Sequence, residues 1–144
     1  MNDEQTWLTF LLDGRGFHKT VRSSPKRPNI FTPDIVQNIA AMAIEKYFMA
    51  VFLERKIMPM NHTMTDLIST AQLFLSLEPE LVETLYYMDH LQQICSFDHF
   101  KITTPSDSDV PRFLKAVDDV AAIAERELFN KFNKSNESYK FNKI

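Results

Sequence analysis

The longest apolar pattern in the chain lies between Pro33 and Ile57. Ile35, Ile39, Met42, Ala43, Tyr47, Ala50 and Val51 recur three and four residues apart, and Ile44, Phe48 and Phe52 widen the stripe. Polar residues in this segment are confined to Asp34, Gln37, Asn38, the Glu45-Lys46 pair and the Glu54-Arg55-Lys56 cluster. A helix this apolar around most of its girth is a central one, flanked on several sides. Thr32-Pro33-Asp34 marks its start with a hydroxyl cap, a proline at the first helical position and an acid in the first turn. Pro59 is expected to end it, so the pattern predicts a helix over about 33–57.

Shorter patterns surround this one. Trp7, Leu8, Leu11 and Leu12 predict a short helix from Asp3 to Leu12 that stops near Asp13-Gly14. Residues 14–29 (GRGFHKTVRSSPKRPN) then read as a long connector, part of which could extend that helix. Thr63-Met64-Thr65-Asp66 resembles a capping box with Asp in place of Glu, which predicts a helix over 64–76. Glu78-Pro79-Glu80 starts a fourth, with Leu81, Leu85, Met88, Leu91, Ile94 and Cys95 on its apolar face. A polar loop follows over 97–110. Pro111 opens a fifth helix with Phe113, Val117, Val120, Ala121, Ala124, Leu128 and Phe132 along one side. The expectation is an all-α, up-and-down bundle of about five helices in one domain over 1–132, with a polar, frayed tail over 133–144.

Composition narrows the function classes. At 144 residues the chain is the size of one domain, and only two glycines exclude a Gly-rich phosphate loop or a dinucleotide-binding turn. A net charge of -3 is not the overall field of a nucleic-acid binder, so a local basic patch would have to supply one. A single cysteine excludes an internal disulfide framework and suits a reducing cytosol. With no basic leader or long charge-free apolar run recognised, the expected location is cytoplasmic, away from membranes.

The candidate chemistry is sparse. Residues 14–29 hold five of the 16 Lys/Arg residues (Arg15, Lys19, Arg22, Lys26 and Arg27), with Phe17 and His18 among them and no acid. Such a segment can contact phosphate and stack a base, or simply be a solvated loop. Arg55 and His62 are the one place where an Arg is followed by a His with about six residues between them. A His moves a proton near neutral pH and an Arg stabilises a phosphorane, but Pro59 between them keeps the two off a common helical face. Asp89-His90 and Asp98-His99 lack the spacing that fixes a metal, and Cys95 reads as a core residue. Neither metal nor cofactor is expected. The adjacent aromatics Tyr47-Phe48 and Tyr86-Tyr87 exceed what one core face needs, which suggests a homodimer built on the second or fourth helix.

The run AIEKYFMAVFLERKIMPMNHTMTDLI, 43–68, resembles the HEPN domain (higher eukaryotes and prokaryotes nucleotide-binding). The resemblance rests on Ala43, Glu45, Lys46, the Arg55-Lys56 pair, Pro59, His62, Asp66 and Leu67. It implies a helical bundle, often dimeric and often encoded beside a minimal nucleotidyltransferase in toxin-antitoxin fashion. It also implies a ligand groove involving Glu45, Lys46, Arg55, Lys56 and His62. Ribonuclease members of that family carry an Arg, a few variable residues and a His on the last long helices. Here neither Arg112 nor Arg126 is followed by a histidine. The resulting expectation is a non-catalytic nucleotide-binding or protein-interaction module, partnering a nucleotidyltransferase-like protein. The alternatives are a metal-independent ribonuclease toxin using Arg55 and His62, and a purely structural dimerisation module.

Overall fold

The computed structural model describes residues 3–93 and 104–141. Among them the regular structure is helical throughout: α1 Asp3–Ser23, α2 Pro33–Glu54, α3 Met64–Gln72, α4 Pro79–Gln93 and α5 Val110–Phe141, with short 3-10 turns at Ser24–Lys26 and Asp107–Asp109. The helices pack on one another as the expected all-α bundle. Ile94, Cys95, Asp98 and His99 lie outside the described residues.

α2 is the central element, packed against α1, α3 and α5. Tyr47 through Phe52, six successive residues, are all buried. Successive helical residues point about 100° apart, so such a run requires neighbours on every side. By length and composition α2 is apolar enough to cross a membrane, yet 61% of its most apolar stretch is buried inside the bundle. Two members of the expected stripe, Ile35 and Met42, are instead exposed at 38% and 43%. Tyr47 and Phe48 are both buried, so neither of this adjacent pair is an exposed aromatic on α2. On α4 Tyr86 is exposed, while Tyr87 is half-buried and donates a hydrogen bond to Asp109 at 3.0 Å.

The end of α2 is set before Pro59. Lys56 adopts a left-handed backbone (φ 59°), its N–H donating to the Leu53 carbonyl and that of Ile57 to the Phe52 carbonyl. This pair of bonds satisfies the last carbonyls of the helix, with Lys56 at the position glycine usually takes. Pro59 is buried two residues beyond. The start of α3 matches expectation: the Thr63 hydroxyl accepts from the Asp66 N–H at 3.2 Å. α3 closes at Gln72, short of 76, and Leu81, Leu85, Met88 and Leu91 are the buried face of α4.

α1 departs most from expectation. It runs unbroken through Gly14 and Gly16 to Ser23, so the segment expected to be a connector is largely helix. The buried stripe continues as Trp7, Leu11, Gly14 and Val21, with His18 half-buried in the same register. Gly14 is there for closeness: a Cβ on it would stand 3.3 Å from the Tyr47 ring and 3.4 Å from Lys46 Cβ. A methyl there would push Tyr47 or α1 back by a few tenths of an ångström, so the bare glycine permits their close approach. α5 likewise continues beyond 132, remaining helical to Phe141.

Candidate functional site

Three helices frame an open cleft of about 550 Å³. α1 contributes Arg15, His18, Lys19 and Arg22, α2 contributes Tyr47, and α5 contributes Asp118, Ala121, Ala122 and Glu125. The spacing explains the convergence. Residues 15, 18, 19 and 22 recur at three and four along α1, and Asp118 and Glu125 lie seven apart on α5, so each set forms one helical face.

The two faces are joined by charge. Arg15 donates twice to Glu125, at 2.6 Å from Nε and 2.6 Å from Nη2, in a bidentate pair. Asp118 is shared: one oxygen lies 2.7 Å from His18 Nε2 and the other accepts from Arg22 at 2.9 Å. His18 Nδ1 lies 3.0 Å from the Tyr47 hydroxyl, with the rings edge to face. A neutral His18 fits these partners as the Nε2–H tautomer, donating to Asp118 and accepting from Tyr47.

Tyr47 is not arranged as a nucleophile. It is only 1% exposed, and burial pushes its phenol up to about 12, with the negative charge of Glu125 adding to the rise. A phenol to be activated needs the opposite shift. Its role in this cleft is a hydroxyl that holds the imidazole.

Lys19 is exposed and forms no hydrogen bond or ion pair with the described residues. The lining therefore carries three fixed cations, Arg15, Lys19 and Arg22, against two carboxylates, Asp118 and Glu125. Such a cleft can accept an anion on the Lys19 ammonium, with the Arg22 guanidinium beside it.

Three of the five basic residues expected to meet phosphate thus share one cleft, on a helix rather than a loop. Lys26 and Arg27 are exposed in and just after the 3-10 turn, outside the lining. The residues of the 43–68 run are distributed differently. Glu45 meets His62 at 3.2 Å, whereas Lys46 turns to α1, its ammonium 4.9 Å from the Phe10 ring centroid. Lys46 and His62 therefore do not line one groove. Arg55 pairs with Glu127 of α5 and lies 4.9 Å from the Phe74 ring centroid. Arg55 and His62 are engaged by different partners on different helices, and Lys56 is exposed at the helix end.

Tyr47, Asp118 and Glu125 are site residues that the sequence pattern alone did not single out. A signal was present: the acids seven apart on α5 mirror the cations on α1. Searches against protein-family profiles, characterised proteins and solved structures find no match.

Proposed function

We infer that the chain is a non-catalytic binding domain whose α1/α2/α5 cleft takes the phosphate of a nucleotide or of single-stranded RNA. The observation that carries this is the convergence of Arg15, His18, Lys19 and Arg22 on one cleft, with net positive charge in an otherwise acidic chain. A phosphate bearing two charges is drawn to such a site, and the Arg22 guanidinium has N–H groups beyond the one given to Asp118. The HEPN resemblance of residues 43–68 agrees with a nucleotide ligand. A homodimer, suggested also by the adjacent aromatics, and a nucleotidyltransferase-like partner follow from that resemblance, and light scattering and co-purification test them.

Lys19→Glu is the informative variant, because Lys19 supports nothing else in the described structure. With a fluorescent single-stranded RNA and with ATP, wild-type protein should bind and be thermally stabilised in proportion to ligand. Lys19→Glu should weaken binding, and Lys19→Ala should lower the salt dependence by roughly one counterion. Equal binding by wild type and Lys19→Glu would contradict the assignment of the cleft.

A further inference from the structure

A second cleft, on the opposite chemical footing, lies between α2, α3 and α4. It measures about 480 Å³ and is lined by Met42, Glu45, His62, Met64 and Asp89, among others. The loop entering it has an unusual order of residues: Met58, Met60, His62 and Met64 occupy every second position from 58 to 64. None of these four side chains lines the cationic cleft.

His62 is held as a metal-binding imidazole is held. Its Nδ1 lies 3.2 Å from Glu45 Oε1, on α2. A neutral ring then carries its proton on Nδ1 and keeps a lone pair on Nε2, which forms no hydrogen bond with the described residues. A carboxylate behind one ring nitrogen fixes the tautomer and raises the basicity of the other. Two thioethers share the cleft lining with this imidazole, Met42 at 43% exposure on α2 and Met64 at 5% where α3 begins. The charged groups among the described lining residues are the carboxylates of Glu45 and of Asp89, the latter accepting from the Thr65 hydroxyl at 2.6 Å, and no described Lys or Arg joins them, which favours a cation over an anion. The donors choose among cations: thioether sulfur and imidazole nitrogen suit a soft monovalent ion and are poor ligands for Mg²⁺ or Ca²⁺. Among the described residues no three of His, Cys, Asp and Glu gather as a metal set, so the borderline ion Zn²⁺ lacks its usual ligands.

We propose that His62 Nε2 and the thioethers of Met42 and Met64 bind one Cu(I) ion in the α2/α3/α4 cleft. The unbranched, flexible methionines can move their sulfurs onto the ion without a change of fold. Met64 sits one residue after the α3 cap and His62 one before it, so the capped helix start fixes the spacing of both ligands.

The test is an anaerobic Cu(I) titration of the full chain against bicinchoninate. It is run in a Cys95→Ser background so that the lone thiol cannot supply the binding. One equivalent should be withheld from the chelator, and the methionine methyl resonances of Met42 and Met64 should shift on titration. His62→Ala and the volume-conserving Met42→Leu/Met64→Leu pair should each lower the affinity by at least about tenfold, no less than the loss of an outer partner costs a metal site. Circular dichroism of each variant should keep the wild-type helix signal, so a loss of copper is not a loss of fold. No withheld equivalent would overturn the proposal, as would unchanged affinity in both variants or equal retention of Zn(II).

Discussion

Two clefts of similar size flank the same central helix, and each is built around a histidine backed by a carboxylate. His18 is closed on both nitrogens, by Asp118 and by Tyr47, whereas His62 is held at Nδ1 alone by Glu45. The cleft around His18 is rich in cations, while that around His62 carries Glu45 and Asp89 and opens among methionines. One residue pair therefore serves two purposes. With both nitrogens engaged the imidazole is part of a wall; with one free lone pair it is a ligand. The neighbouring charges then set the sign of what each cleft admits.

The largest effect should come from the wall the clefts share. Phe48 is 1% exposed and stacks on Phe52 at 5.8 Å between centroids. Phe48→Ala should cost about 3–5 kcal/mol in denaturant unfolding and degrade both clefts together. Loss of one cleft with the other intact would show that α2 is not their common support.

A smaller effect separates them by pH. Tyr47 has its folded pKa raised to about 12 from the ordinary phenol value of 10.0. Between those values the folded state retains a proton that the unfolded chain has lost, so stability is present below about pH 10 and is lost as pH rises towards 12. The contribution is at most roughly 3 kcal/mol. Tyr47→Phe should therefore flatten the alkaline decline in melting temperature relative to wild type. An identical decline in the variant would place the effect elsewhere.

The smallest effect concerns two glycines of one helix. A Cβ added at Gly16 would meet nothing within 4 Å, so Gly16→Ala should stabilise by up to about 1 kcal/mol through helix propensity. Gly14→Ala gains the same propensity but sets a methyl 3.3 Å from the buried Tyr47 ring, beside the His18 cleft. It should be neutral or destabilising, and equal stabilisation by both would remove the close-approach argument.

Those glycines also explain what was legible in the chain. α2 is legible because its stripe is long and a proline opens it, although the Thr32 hydroxyl donates to the Asp34 carboxylate instead of capping a backbone N–H as expected. The Thr63 cap and the faces of α4 and α5 were legible for the same local reasons. The sequence pattern predicts a shorter α1 because Gly14 and His18 occupy two places in the buried stripe where an apolar residue would signal continuation. Gly14 resembled a stop when it was a contact. The cationic set was visible as composition, but its assembly required α1 to be helical through Arg22 and Asp118 to come from a helix about a hundred residues away. Likewise, nothing local distinguishes Lys46, which turns to Phe10, from Glu45, which turns to His62.

The contrast between the two clefts is most directly tested by an amide shift map of the full chain on addition of ATP. It should move the resonances of Arg15, His18, Lys19 and Arg22 on α1 and of Asp118 to Glu125 on α5, and leave Met42, Glu45 and His62–Leu67 in place. Shifts centred on the His62 cleft, or none at millimolar ATP, would contradict a phosphate site between α1 and α5.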